Sequence, residues 1–208
     1  IQNGLGMENE LADAFPNTTI MGGIAFICTF RVGPGRISHI DYGHLTVGVY
    51  QNPQDEILNQ IRKDFENAIV PFAIAPDLND ARWRKLVWNI PYNGLTVVLN
   101  TSTEVIMKTE SSRQLARDMM LEVVEGARAC GVDIEREYVN DMLRMTDSMK
   151  PYSPSMKLDF DNSRRMEIRT IYSNPVRIAK EHGYLMSKVQ MLEQQLQFLQ
   201  SEMDKNEK

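Results

Sequence analysis

The chain has 208 residues, 42% of them hydrophobic and 25% charged, with a formal net charge of −5 at neutral pH. That is enough apolar material to build a sizeable core without covalent staples, and no Lys/Arg cluster forms the basic stripe a nucleic-acid surface needs. No apolar run reaches the ~18 residues of a membrane span, and Cys28 and Cys130 match no metal or redox spacing, which fits two buried thiols in a reducing cytoplasm.

Taken in chain order, Ile1-Gln2-Asn3-Gly4-Leu5-Gly6 reads as the end of a buried strand turning into a loop. Loops at the carboxyl ends of strands line the ligand crevice of an open α/β sheet. The chain therefore reads as the back part of a two-domain enzyme whose front part lies outside it. Residues 7–15 predict a short helix, with Glu8 and Glu10 suited to its N-terminus. Residues 19–50 are rich in β-branched and aromatic side chains and alternate apolar with polar, and Gly33-Pro34-Gly35 is a turn signal. They predict a small antiparallel meander, with 36–40 and 44–50 as separate strands.

After Pro53 the period changes. Ile57, Ile61, Phe65 and Ile69 recur at every fourth position, one face of a helix. Residues 72–75 predict a short strand or extended link, and Asp77 or Asn79 can cap a helix running from about 80 towards 99. Further helices are expected over 111–130, closed by Gly131 as a C-terminal cap, and over 134–149. Ser153-Pro154 reads as an N-cap with Pro at the first helical position. Helices over 155–161, 163–182 and 186–204 come next, with 204–208 frayed. The thirteen methionines are read as flexible core filler. The predicted class is mainly α with a β-rich N-terminal part, divided near residue 52.

The most chemically loaded segment is Trp83-Arg84-Lys85-Leu86-Val87-Trp88-Asn89-Ile90-Pro91-Tyr92-Asn93. Lys85, Asn89 and Asn93 stand four apart and so share one helix face. On spacing alone, the stripe reads as partly exposed, with Lys85 reaching for water along its stem. Pro91 is expected to kink or break the helix. Downstream, Ser155 falls in the first turn of a short helix, where free N–H groups favour a carboxylate. Asp159 lies one turn further on, and Glu167 falls on the next helix among Met166, Ile168 and Ile171. Val189, Leu192, Leu196, Leu199 and Met203 form a seam too short for an independent coiled coil. It reads first as docking on the helical domain and second as a homodimer contact. His39, His44 and His182 show no metal spacing.

Together these segments resemble the 2-dehydropantoate 2-reductase (ketopantoate reductase) family. The matching stretches are Gln2 to Gly6, Trp83-Arg84-Lys85-Leu86 with Asn89 and Asn93, Ser155-Met156 with Asp159, and Glu167-Ile168; Arg31 to Gly35 and His39 fit the family's β-meander. The resemblance implies that residues 1–52 are the last part of a Rossmann-type dinucleotide-binding domain and 53–208 an all-helical substrate-binding and catalytic domain. It implies NADPH as cofactor and a small 2-keto acid as substrate, reduced from 2-dehydropantoate to pantoate on the path to coenzyme A. It also implies Lys85 as general acid, Glu167 as the group that binds the substrate hydroxyl or orients Lys85, and Asn89, Asn93 and Ser155 as substrate contacts. Asn3 would lie at the nicotinamide end, and Asp159 would support. Arg169 departs from the family pattern, and no G-x-G-x-x-G comes after a strand in these residues, so the chain by itself is expected to be inactive. Two alternatives stand beside this reading: a reductase of another 2-keto acid, and a non-catalytic helical module that dimerises through its tail.

Overall fold

The computed structural model describes residues 1–68 and 70–206. Ile69, the last member of the predicted apolar face over 57–69, lies outside the described residues, as do Glu207 and Lys208 of the predicted frayed end. A β-rich first part is followed by a helical second part, the class the sequence predicts.

The order begins with α1 (Met7–Ala14), β1 (Ile20–Gly33) and β2 (Arg36–Gln51), then α2 (Asp55–Asn67) and β3 (Phe72–Ile74). Pro34 and Gly35 join β1 to β2; Gly35 has φ 67°, and Pro followed by a positive-φ Gly closes the hairpin tightly. The two strands predicted over 36–40 and 44–50 are one strand. The apparent break is a bulge, where pairing passes from Phe26↔His44 to Ile27↔Tyr42 and leaves Gly43 over, with Tyr42 at φ 56°. The His39 ring Nε2 lies 2.6 Å from the Tyr42 carbonyl and steadies this turn. β3 joins β2 in parallel, Leu45 opposite Phe72 through Val47 opposite Ile74. Leu45, Val47 and Leu58 are buried there, and the rings of Phe65 and Phe72 stack at 4.9 Å. Leu58, not Ile57, is the buried member of that turn of α2.

Helices complete the chain: α3 (Leu78–Val98), α4 (Thr103–Lys108), α5 (Glu110–Ala129), α6 (Glu137–Ser148), α7 (Ser155–Asp161), a π-helical turn (Arg169–Ser173), α8 (Asn174–Glu181) and α9 (Ser187–Asn206). Asp77 starts α3, its Oδ1 accepting the Asn79 and Asp80 N–H groups at 2.7 and 3.1 Å. α4 is absent from the sequence reading; Ser102 caps it. Gly131 ends α5 at φ 82°, as expected of a helix stop. α7 starts one residue later than Ser153-Pro154 suggests, with Pro154 at the cap and Ser155 first in the helix. The helix predicted over 163–182 starts only at 168, so residues 164–167 are a connection.

The chain forms two compact units, Ile1–Arg82 and Trp83–Lys208, with the boundary inside α3. In the second unit α3 is buried almost all round, with Trp83, Leu86, Val87, Ile90 and Tyr92 among its buried residues, as befits a central helix. Met119, Met120, Val123 and Val124 of α5 and Val189, Leu192 and Leu196 of α9 complete that core. The apolar seam of α9 is therefore spent within its own unit. No described helix is long and apolar enough to cross a membrane.

Candidate active site

The polar stripe of α3 is more deeply set than its spacing implies. Asn89 and Asn93 are 4% and 2% exposed, whereas Lys85 is half-buried. Pro91 does not end the helix, which continues to Val98. Proline removes the N–H that would meet the Val87 carbonyl, but the surrounding core holds the segment helical.

A buried amide must be satisfied or it costs free energy. Asn93 Oδ1 accepts the Met156 backbone N–H at 3.2 Å, one of the amides a helix start leaves over. This bond ties α3 to the first turn of α7, beside half-buried Ser155. Asp159, further along α7, pairs with Arg164 at 2.8 Å and steadies the end of that helix. Glu167 is exposed and sits immediately before the helical segment that contains the π turn, between buried Met166 and Ile168. Its backbone carbonyl accepts the Ile171 N–H at 3.3 Å. The structure thus places Lys85, Asn89 and Asn93 on one helix and joins Asn93 to the Ser155 turn. Neither Lys85 nor Glu167 is without a partner.

Asn3 belongs to the other unit. It is half-buried in a loop whose Gly4 and Gly6 have φ of 91° and 93°, and the Gln2 N–H bonds the Gly23 carbonyl at 3.2 Å, holding the preceding residues along β1. Gly6 begins α1 with no side-chain cap.

Two residues near these sites escape the sequence reading. Arg82, 3% exposed, donates to Glu8 Oε1, itself on a buried residue, and to the Gln2 carbonyl next to Asn3. A Cβ on Gly22 would stand 2.5 Å from Glu8 Oε1 and 2.9 Å from Arg82 Nη2, so only glycine admits the pair. Its sole local signal is the position three before Lys85 on an apolar helix. Tyr172, in the π turn, is fully buried and donates its hydroxyl to the Ile90 carbonyl at 2.8 Å. Burial raises its phenol well above the ordinary tyrosine range, and the Gly94 backbone amide partly offsets this.

The cysteines are inert by environment. Burial, then the nearby Asp41 carboxylate, pushes the Cys28 thiol up to about 11, and burial also raises Cys130. Among the described residues no cluster of His, Cys, Asp or Glu could hold a metal ion.

Residues 1–52 match the family model described as "Ketopantoate reductase PanE/ApbA", and residues 77–200 match "Ketopantoate reductase PanE/ApbA C terminal". A 2-dehydropantoate 2-reductase from Nostoc sp. is 42% identical over 204 residues, 96% of this chain and 64% of the relative. The crystal structure of 2-dehydropantoate 2-reductase from Geobacter metallireducens superposes with a TM-score of 0.91 at 39% identity, covering 95% of this chain and 66% of that one. The enzyme of the same name from Methylococcus capsulatus gives 0.88 at 30% identity, covering 97% and 64%. The chain therefore spans about two-thirds of the length of these relatives. Residues 1–6 belong to no strand and Ile1 is exposed, so the buried strand end expected there is a loop. By its two family-model matches, its similarity to these relatives and its Trp-Arg-Lys-Leu helix with two buried asparagines, this chain belongs to the ketopantoate reductase family.

Proposed function

We propose that the chain supplies the substrate-binding and catalytic part of an NADPH-dependent reductase converting 2-dehydropantoate to pantoate, in the cytoplasmic supply of coenzyme A precursors. In this reading residues 1–52 close a dinucleotide-binding domain and 53–208 carry the substrate site. The observation that carries it is the α3 stripe: two buried neutral amides aligned with a half-buried amine, one of them hydrogen-bonded to the Ser155 turn.

The residue types suit the chemistry. NADPH, when bound, supplies the hydride. The Lys85 ammonium stabilises the negative charge that develops on the substrate's ketone oxygen and then gives that oxygen a proton. The Glu167 carboxylate favours the protonated amine or binds the product hydroxyl. Asn89 and Asn93 orient a polar substrate without adding charge. With the Met156 N–H already engaged by Asn93, the Ser155 hydroxyl is the side-chain donor the α7 turn offers a carboxylate. Asn3 would hold the nicotinamide end of the cofactor. The residues fit that end: the glycines on either side of Leu5 let backbone approach a flat ring closely, while Glu8 and Glu10 in the first turn of α1 disfavour a pyrophosphate there.

The test is turnover by the full-length protein. It should oxidise NADPH with 2-dehydropantoate, and Lys85→Ala should lower kcat by about 10²–10⁴ with the fold intact. Undiminished activity in that variant would end the general-acid role. Residues 1–208 alone should bind no NADPH measurably by calorimetry, since the glycine-rich phosphate turn is not among them. One observation favours a second reading. Arg169, exposed two residues after Glu167, offers a cation to a different 2-keto acid. A substrate panel with Arg169→Ala separates the two. We also propose a homodimer through the outer side of α9, where Met191 and Phe198 remain exposed beside Gln194 and Gln195.

A further inference from the structure

The π turn and the proline of α3 meet at one atom. Tyr172 Oη donates to the Ile90 carbonyl at 2.8 Å. In an α-helix that carbonyl is the partner of the residue-94 N–H, and the Gly94 amide also faces the same hydroxyl. The phenol thus shares the rung between residues 90 and 94, directly after the position where Pro91 withholds a donor from the ladder. Gly94 makes the approach possible. A Cβ there would stand 2.7 Å from Tyr172 Oη and 2.5 Å from Leu192 Cδ2, closer than real side-chain contacts allow. The site is closed to bulk solvent, since Tyr172, Ile90 and Tyr92 are each 0% exposed.

Asn93 leaves the helix inside this rung, and its Oδ1 holds the Met156 N–H. Tyr172 itself projects from a π turn that starts two residues after Glu167. A side chain inserted beside an i→i−4 bond bends a helix and changes where the residues beyond it point. We propose that Tyr172 is a positioning residue whose hydroxyl, admitted by Gly94, sets the direction of Asn93 on α3 and couples it to the segment bearing Glu167. It acts through Asn93 and touches no substrate. Rotating Asn93 would loosen its hold on the Ser155 turn and on any ligand the two share. Its kinetic consequence rests on the proposed reductase function; its structural consequence does not.

Two measurements on the full-length protein separate these. The first is a thermodynamic cycle in urea for Tyr172→Phe, Asn93→Ala and the double variant. Coupling should leave the combined loss in the folding equilibrium constant about fivefold or more short of the product of the single losses. Additivity within about twofold would overturn the proposal. The second is steady-state kinetics. Tyr172→Phe should raise KM for 2-dehydropantoate at least fivefold, with KM for NADPH within twofold and a smaller change in kcat. A lower Tm with every kinetic constant unchanged would make the hydroxyl a stabilising group only, and would also overturn the proposal. Gly94→Ala, which keeps the phenol but pushes it off the rung, should give the same KM signature, and decides the matter if Tyr172→Phe does not fold. If wild-type protein turned over no 2-dehydropantoate, the functional reading would fail, and the cycle alone would then confirm or reject the role of Tyr172.

Discussion

Arg82 and Lys85 are cations three residues apart on α3, one in each compact unit, and the protein treats them in opposite ways. Arg82 is buried and bonded to Glu8 and to the Gln2 carbonyl. Lys85 is half-exposed. The first unit sets its buried guanidinium against an opposite charge, which engages Nη2, while Nε finds no hydrogen-bond partner among the described residues. Along α3 in the second unit the buried polar groups include two neutral amides, Asn89 and Asn93, and Lys85 stays at the edge. The contrast teaches that one helix can bury a charge as a fastening at one turn and, a turn later, leave a cation where solvent still reaches it.

Breaking the fastening should have the largest effect. Arg82→Ala leaves Glu8 buried without its cation and is expected to cost about 3–5 kcal/mol. Chemical denaturation would measure it, and the double variant Arg82→Met with Glu8→Leu should recover much of the loss. A loss below about 1 kcal/mol in Arg82→Ala would mean the pair is solvated. On the other side of the contrast, Asn93→Ala strands the Met156 N–H and should cost about 1–3 kcal/mol. Amide exchange at Met156 should quicken in that variant; unchanged protection would show that this bond is dispensable. A smaller effect is expected from Asp77→Ala, which removes the acceptor for two N–H groups at the start of α3, about 1 kcal/mol.

The smallest effect concerns an exposed pair. Arg113 hydrogen-bonds both Asp147 oxygens, at 2.6 and 2.7 Å, and holds that carboxyl below its ordinary value. A depressed folded-state pKa adds stability that is fully present above the unfolded value, about 3.9, and is lost as pH falls through the lower folded one. Solvent screening keeps it to at most about 0.5 kcal/mol. The stability gap between wild type and Asp147→Asn should therefore close below about pH 4. A gap that persisted at lower pH would assign it to packing.

Local chemistry made much of the fold legible. Asp77, Gly131 and Pro34-Gly35 announce their cap, stop and turn, because each acts within a few residues of itself. The helical stripe of Lys85, Asn89 and Asn93 was visible for the same reason, but its depth was not. That depth depends on distant segments closing over α3, among them Leu192 of α9 and Tyr172, both beside Gly94, and Thr146 of α6, beside Trp88, which no spacing encodes. α4 is too short, at six residues, to show a period. The bulge at Tyr42 and Gly43 imitates a strand break in sequence, although pairing continues through it. Glu167 reads as helical because Met166, Ile168 and Ile171 flank it at helical spacing, yet the helix starts after it. The Arg82–Glu8 pair joins residues 74 apart and the Tyr172–Ile90 bond residues 82 apart, so neither leaves a local trace.

The five-residue π turn over Arg169–Ser173 holds one more residue than a regular α-helical turn would. Each added residue swings the remainder of the helix by roughly 100° about its axis. A single-codon deletion within 169–173 would thus reset the phase of everything from α8 onward, or turn Tyr172 away from Ile90, with only one residue's change in composition to warn of it. Chains of otherwise similar sequence that differ by one residue here should be sorted by that length before any of their side chains are compared.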